Sequence, residues 1–223
     1  QGAVAANDTL NIGVRGASGP GGFSIGQLGD IANIAALCDV DQNRLAPVPS
    51  KFPKAETYTD FRRQVEQKDL DAVVVATPDH THAVASVAAM RAEKHVYCEK
   101  PLAHSAWECR ELTRIAKEMK VATQLGNQRH ANGGMRRTVE AVQSGMIGKI
   151  KEVYAFQGGS RGMPALPGDF PPVPKHLDWD LWLGPAPERP YHDGYHPFKR
   201  RGFWDFGTGA LGCLLYTSPS PRD

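Results

Sequence analysis

The chain lacks a long apolar run, a pair of cysteines at metal-binding spacing, and a charge excess of either sign. No stretch reaches the roughly 18 apolar residues of a membrane-spanning helix, so no membrane span is expected. Because 26 lysines and arginines face 24 aspartates and glutamates, no strong field favours a nucleic acid as partner. Cys38, Cys98, Cys109 and Cys213 show no CxxC or zinc spacing. We interpret them as reduced packing residues and expect no metal site.

A predicted strand, a glycine-rich turn and a helix follow one another near the start of the chain. Small residues in such a turn let the backbone approach a pyrophosphate, and the helix N-terminus supplies N–H groups. The turn fits the pattern G-x-G-x-x-G at Gly16, Ser18 and Gly21, with serine in the middle. Taken alone, the turn fits a simple glycine loop equally well.

Asp39 ends the second predicted strand, about 20 residues after the first glycine, as dinucleotide folds require. A carboxylate there accepts hydrogen bonds from both ribose hydroxyls of NAD and repels the 2′-phosphate of NADP. Arg44 nearby partly offsets that repulsion, so NADP stays possible. The alternative for Asp39 is a helix N-cap. Together, the turn and Asp39 predict a dinucleotide site with NAD as cofactor.

A third apolar strand, residues 71–76, ends at Thr77 and Pro78, and His82 begins the next helix. Groups at this position lie at the carboxyl edge of the sheet, where open α/β folds bind ligands. His82 either lines a cofactor cleft or is a histidine with satisfied hydrogen bonds. His80 and His82 do not face each other on a helix, so they are not a metal-binding pair.

The strand over residues 95–99 ends at Glu99, and Lys100 and Pro101 follow. Proline cannot extend a strand ladder and biases the preceding residue towards extended backbone angles. We therefore expect Lys100 at the carboxyl edge of the sheet beside Glu99. A lysine there is a candidate proton donor or electrostatic clamp, and a surface Lys–Glu pair is the alternative.

Alternating strands and helices continue to about residue 147 and predict an α/β class, a Rossmann doubly wound parallel sheet. Residues 150–156 alternate apolar and polar side chains, as a strand with one wet face does. We therefore place a domain boundary near Gly148, with residues 148–212 as the incomplete start of an α+β open-sheet second domain. Residues 158–197 are irregular and form either a binding-site wall or a subunit contact.

These motifs together resemble the Gfo/Idh/MocA family of NAD(P)-dependent oxidoreductases over residues 10–212. The resemblance rests on the glycine turn, the segments 38–41, 76–82 and 99–101, and the later segments 177–187 and 204–212. It implies hydride transfer between nicotinamide and a sugar or polyol carbon, with Lys100 as the catalytic residue. It also implies a cis Lys100–Pro101 bond and a homo-oligomeric parent protein. The expected cofactor-binding residues are Gly16, Ser18, Gly21, Asp39, Arg44, Thr77, Pro78, His82, Glu99, Lys100 and Gln128.

The family has an aspartate and a histidine where this chain has Cys213 and Thr217. We interpret residues 213–223 as a non-native tail and expect the chain as written to be inactive. Residues 1–8 resemble a disordered stub after a cleaved export signal, so the compartment is the cytoplasm or the periplasm. Two alternatives stay open, an NAD-dependent glycosidase that acts by transient oxidation and elimination, and a cofactor-binding regulatory protein.

Overall fold

The computed structural model describes residues 9–127, 132–154, 165–197 and 199–209. The strands are β1 (Asn11–Arg15), β2 (Asn33–Cys38), β3 (Glu56–Tyr58), β4 (Ala72–Val75), β5 (His95–Glu99) and β6 (Thr123–Gly126). The helices are α1 (Pro20–Leu28), α2 (Gln42–Leu45), α3 (Phe61–Gln64), α4 (His82–Arg91), α5 (Ala106–Met119), α6 (Gly133–Gln143) and α7 (Trp179–Leu183). The predicted stub 1–8, the predicted tail 213–223 and Gln128 lie outside the described residues.

All six strands form one parallel sheet in the order β3-β2-β1-β4-β5-β6. The chain starts at the centre, runs outward through β2 and β3, and then crosses to β4 on the other side of β1. This is the predicted doubly wound Rossmann arrangement. Its topological switch point lies between β1 and β4, where ligands of open α/β sheets bind beyond the strands' carboxyl ends.

The centre of the sheet is covered on both faces, which explains the continuous apolar runs of β1, β2 and β4. In β4, Val73 and Val75 pack with Met90 of α4 and Leu112 of α5. Val74, between them, points to the opposite face, where it joins a second cluster with Ile25 of α1. A strand buried on both faces has no polar side to present, so its sequence shows no alternation.

Helix α5 begins with a capping box, which the pattern of Ser105 followed by Glu108 predicts. The Ser105 side chain accepts a hydrogen bond from the Glu108 N–H, and the Glu108 carboxylate accepts one from the Ser105 N–H at 2.7 Å.

Replacing Ser105 with alanine leaves the Glu108 N–H without its hydrogen-bond acceptor. We expect about 1 kcal/mol of destabilisation, measured by urea unfolding. Thr113→Ala on the same helix is the control and should change stability little, since Thr113 only back-bonds to Cys109. Equal effects would contradict the role of the cap.

Two elements differ from the sequence prediction in the first half of the chain. The sequence predicts a helix that begins at Asp60 and runs to residue 68, but α3 ends at Gln64. Strand β3 was not predicted because it is short and lies at the sheet edge, with Glu56 and Thr57 exposed. Pro47 and Pro49 predict a short or broken second crossover helix, and this helix is the four-residue α2.

The strand predicted over residues 150–156 is not formed in its described part, residues 150–154. Strand geometry needs a hydrogen-bonded neighbour, and no described strand pairs with this segment. Val153 and Tyr154 are 78% and 73% exposed. The prediction of a strand here was therefore wrong for residues 150–154, and the proposed boundary near Gly148 stays a prediction.

Residues 174–206 pack onto the carboxyl edge of the Rossmann sheet. The Asp178 N–H donates to the Val40 carbonyl at 3.0 Å, and the Gln42 N–H donates to the His176 carbonyl at 2.8 Å. Behind this contact lies an aromatic cluster that includes Trp182 and Phe206, 2% and 0% exposed. No helix in the described part of the chain combines the length and hydropathy needed to cross a membrane.

Candidate functional site

A cavity of about 610 Å³ opens at the carboxyl ends of β1, β2 and β4, at the switch point of the sheet. Its lining includes Gly16, Ser18, Asp39, Arg44, Thr77 and Pro78, so six of the predicted cofactor-binding residues meet in one place. The volume falls within the range of small-molecule sites. The sequence prediction of a ligand site at this edge agrees with this geometry.

The glycine turn is so tightly packed that side chains are excluded. Gly16 has φ +77°, and a Cβ there would lie 2.6 Å from the Ala76 carbonyl oxygen. A Cβ at Gly21 would lie 1.7 Å from the Gly16 carbonyl oxygen. Gly21 does not line the cavity. It lets the first turn of α1 lie directly against the loop.

Asp39 follows β2 directly and is 9% exposed, with its carboxylate on the cavity. One carboxylate oxygen accepts a hydrogen bond from the Asp41 N–H at 3.0 Å. Burial raises the pKa of Asp39 to about 6, against the opposing effects of that hydrogen bond and of Arg44. Asp39 is therefore an acceptor for hydroxyl groups at neutral pH but is protonated in mildly acidic solution.

Arg44 connects the glycine turn to the end of β2. Its Nη1 donates to Ser18 Oγ at 2.7 Å, and its Nε lies 3.5 Å from Asp41 Oδ2. The guanidinium thus has one partner in the glycine turn and one in the loop after β2. The predicted residues Ser18 and Arg44 are brought together by this contact.

Arg15, the last residue of β1, has a fully buried side chain on the cavity floor. Nε donates to Gln64 Oε1 at 2.8 Å, and Nη1 donates to the Ala85 carbonyl. Burial lowers the pKa of Arg15 to about 10, so it stays a cation at neutral pH. An arginine inside an apolar parallel strand was the only sequence signal for this residue, and it did not indicate a role.

His82 lies outside the cavity lining. Its ring is 1% exposed, with Nδ1 2.6 Å from the Pro101 carbonyl oxygen and Nε2 2.8 Å from the Thr77 carbonyl oxygen. This is the second interpretation that the sequence left open, a histidine with satisfied hydrogen bonds.

Thr77 itself lines the cavity with its Oγ1 buried and without a hydrogen-bond partner among the described residues.

Glu99 and Lys100 end β5, two strands away from β1 along the same carboxyl edge. Glu99 is buried and Lys100 is half-buried. Neither lines the cavity that contains Asp39. The Lys100–Pro101 bond is cis, as predicted. In the described part of the chain, no group of three or more His, Cys, Asp or Glu side chains is placed to hold a metal ion.

The second wall of the cavity comes from the irregular segment after residue 174. This segment contains residues of α7, His196 and two arginines. The sequence predicted for it either a binding-site wall or a subunit contact. His196 Nε2 lies 3.0 Å from Asp41 Oδ2, which connects this wall to the loop after β2. The residues it contributes are Asp180, Leu181, Trp182, Gly184, Pro185, His196, Pro197, Arg200 and Arg201. Thr59, Phe61 and Arg62 also line the cavity without any sequence signal.

The chain is similar to known proteins along most of its length. Inositol 2-dehydrogenase of Salmonella typhimurium is 30% identical over 161 residues, which are 70% of this chain and 48% of the relative. Myo-inositol 2-dehydrogenase of Thermotoga maritima is 32% identical over 120 residues, 54% of this chain and 36% of the relative. The chain thus spans about half, or less, of the curated relatives it matches.

The chain is also similar in fold to solved structures of inositol dehydrogenases. Myo-inositol 2-dehydrogenase from Lactobacillus plantarum has a TM-score of 0.60 and 26% identity, covering 64% of this chain and 43% of that one. Scyllo-inositol dehydrogenase from Lactobacillus casei, solved with bound NAD(H) and scyllo-inositol, has a TM-score of 0.59 and 25% identity, covering 63% and 42%.

Two family models account for nearly all of the described residues. Residues 10–127 match the oxidoreductase family model with an NAD-binding Rossmann fold, and residues 134–217 match the C-terminal alpha/beta domain of the same oxidoreductase family. The glycine turn, Asp39 and the strand-end threonine and proline described above all lie in the first match. The chain therefore belongs to the Gfo/Idh/MocA family of oxidoreductases, with its NAD-binding Rossmann domain and part of its C-terminal domain.

Proposed function

We propose that this chain binds NAD in the cavity beyond β1, β2 and β4, as part of an enzyme that transfers a hydride between nicotinamide and a hydroxyl-bearing carbon of a sugar or polyol. The observation that carries the proposal is the meeting of the glycine turn, which has no room for a side chain at Gly16, and Asp39 in one cavity. A cyclitol such as inositol is the substrate class that the relatives' names favour.

The charge of the cavity suits a pyrophosphate. Its lining includes Arg15, Arg44, Arg62, Arg200 and Arg201, against two carboxylates, Asp39 and Asp180. An excess of cations along the cavity favours a ligand with two phosphates, the glycine turn before α1 offers these phosphates backbone N–H groups, and Asp39 is placed for ribose hydroxyls. The unpartnered Thr77 Oγ1 offers one further hydrogen bond to a ligand. The residues present therefore fit the cofactor.

Lys100 supplies the group that acts on the substrate oxygen. When bound, nicotinamide accepts or donates the hydride. In the direction of carbonyl reduction, the Lys100 ammonium would donate a hydrogen bond to the substrate oxygen, stabilise the alkoxide charge that develops there and give that oxygen its proton. In the reverse direction the neutral Lys100 amine would take the proton from the hydroxyl. Its place on β5, in line with the carboxyl ends of β1 and β4, puts it on the same edge as the cavity.

Calorimetric titration of the chain with NAD tests the cofactor part of this proposal. We expect one site per chain. Because the chain as written is expected to be inactive, the class of chemistry is tested on a version in which a family-like second half replaces residues 213–223. Myo-inositol, scyllo-inositol and glucose are added in turn to both versions, with NADH absorbance as the readout. Absence of NAD binding by the folded chain would contradict the proposal directly.

The affinity for NAD should depend on pH through Asp39. Because burial raises the pKa of Asp39 to about 6, the carboxylate that accepts ribose hydroxyls is lost as the pH falls through that value. At pH 5 we expect about tenfold weaker NAD binding than at pH 7.5. Titrations at half-unit steps from pH 5 to 8 measure it, with Asp39→Asn as a variant that should show a flatter profile. A wild-type affinity that is constant across this range would show that Asp39 does not contact the ribose.

A further inference from the structure

His82 makes two short hydrogen bonds that a neutral imidazole cannot make together. Its two ring nitrogens lie 2.6 Å and 2.8 Å from carbonyl oxygens, which only accept. A neutral imidazole carries one N–H, so one of these nitrogens would face an oxygen with its lone pair. With both nitrogens protonated, the ring donates to both carbonyls. The geometry therefore calls for an imidazolium at a site that is 1% exposed.

The surroundings of the ring support this charge. The titratable groups that face it are the Cys98 thiol on β5 and the Asp79 carboxylate in the 3-10 turn Asp79–Thr81. Burial alone would lower the pKa of His82, but the charge interactions with Cys98 and Asp79, together with the hydrogen bonds to Cys98 and to the Pro101 carbonyl, raise it to about 9. In return, and against the effect of its own burial, His82 and Arg200 lower the pKa of Asp79.

His80, two residues earlier, is a useful contrast. Its ring also lies between two carbonyl oxygens, those of Trp182 and Phe206, at 2.9 Å and 3.2 Å. Burial lowers the pKa of His80 to about 4, and the positive charge of Arg200 acts in the same direction. The longer His80 contact, 3.2 Å, leaves room for a neutral ring that donates its one N–H to the Trp182 carbonyl, whereas both His82 contacts are short. His82 also faces the Asp79 carboxylate, while the positive charge of Arg200 acts on His80.

The two carbonyls that His82 joins belong to functionally separate segments. Thr77 lies at the end of β4 and lines the cavity. Pro101 directly follows Lys100 at the end of β5. We propose that His82 is a positioning residue whose doubly protonated ring holds the Thr77 segment and the Lys100–Pro101 segment at a fixed spacing, and so sets Lys100 relative to the bound cofactor. This proposal rests on the function proposed above.

The protonation state is measured directly on the wild-type chain. We expect nitrogen-15 NMR at pH 7.5 to show an N–H proton on both ring nitrogens of His82, assigned by the loss of these signals in His82→Gln. The ring should titrate only as the pH rises through about 9. A single N–H, or titration near pH 6.5, overturns the proposal.

The positioning role has its own readout, which does not need the cofactor. In His82→Gln, whose neutral amide has donors at one end only, we expect amide hydrogen exchange to accelerate at least tenfold in residues 76–82 and 98–103 and not in β2 or α5. His104→Gln is the matched control, because its backbone N–H keeps its 2.9 Å bond to Glu108. Unchanged exchange in His82→Gln overturns the proposal. If that variant does not fold, amide exchange of the wild type in the same two segments is the test. After correction for intrinsic exchange rates, the exchange rate there should rise as the pH passes through about 9, where the ring loses its second proton. A corrected rate that does not rise overturns the proposal.

NAD titration then separates the two proposals. We expect His82→Gln to bind NAD at least tenfold more weakly than the wild type and His104→Gln to bind it equally well. Equal NAD binding by a folded His82→Gln overturns the positioning role. A wild-type chain that binds no NAD overturns the proposed function instead, and the ring spectrum and the exchange data still decide on His82.

Discussion

Replacing Asp39 with asparagine is expected to weaken NAD binding by about 10- to 100-fold. Hydrogen bonds from two ribose hydroxyls to a buried carboxylate are charge-assisted, and losing the charge costs about 1.5–3 kcal/mol. An asparagine oxygen retains one weaker acceptor, so binding is reduced rather than abolished. Isothermal titration with NAD measures the change. Asp30→Asn, an exposed aspartate outside the cavity lining, is the control and should leave the affinity unchanged.

The same substitution should change the choice between the two dinucleotides. The wild type is expected to prefer NAD, because the Asp39 carboxylate repels a 2′-phosphate and Arg44 is already engaged by Ser18 and Asp41. Asp39→Asn removes the repulsion, so the ratio of NADP to NAD affinity should rise at least tenfold. Wild-type binding of NADP as tight as that of NAD would mean that Arg44 leaves its partners and governs the choice.

Replacing Gly21 with alanine should destabilise the chain strongly. The added Cβ would lie 1.7 Å from the Gly16 carbonyl oxygen, a backbone atom that can move only with the whole turn. We expect destabilisation of more than about 3 kcal/mol, measured by urea unfolding, together with loss of NAD binding.

Gly26→Ala is the matched control for this change. Gly26 lies in the same helix, is exposed, and has no atom within 4 Å of the position that its Cβ would take. The methyl group there should stabilise the chain by about 0.5–1 kcal/mol through helix propensity. Similar destabilisation by both variants would mean that α1 does not tolerate alanine for a reason other than the turn.

The sequence predicted the fold where burial is two-sided. Strands β1, β2 and β4 pack on both faces and therefore read as apolar runs, which are followed by a glycine, an aspartate and a threonine-proline pair. Strand β3 was missed because its exposed residues at the sheet edge carry no such pattern. Over residues 150–156 the sequence pattern predicted a strand that the described part, residues 150–154, does not form. Its alternating pattern is real, but no described neighbour supplies the hydrogen bonds that would make it a strand.

The sequence predicted those residues of the candidate site that follow strands of the sheet, but not those of the opposite wall. Gly16, Asp39 and Thr77 follow strands directly, so topology alone brings them to one edge. The opposite wall was indicated only as an irregular segment, because its approach depends on main-chain bonds such as that of Asp178 to Val40, which have no side-chain signature. The protonation state of His82 depends on two carbonyls and a carboxylate that meet only in the folded chain.

The contact of His196 with Asp41 joins residues 155 positions apart, and this has a consequence for the order in which the molecule assembles. Closing a loop of that length costs about 4–5 kcal/mol of chain entropy before any contact compensates for it. The parallel sheet up to β6 closes through shorter crossovers, so it should form first, with an open groove instead of a cavity. Dinucleotide recognition would then arise late in folding, and a nascent chain would acquire it only after its second half has been synthesised.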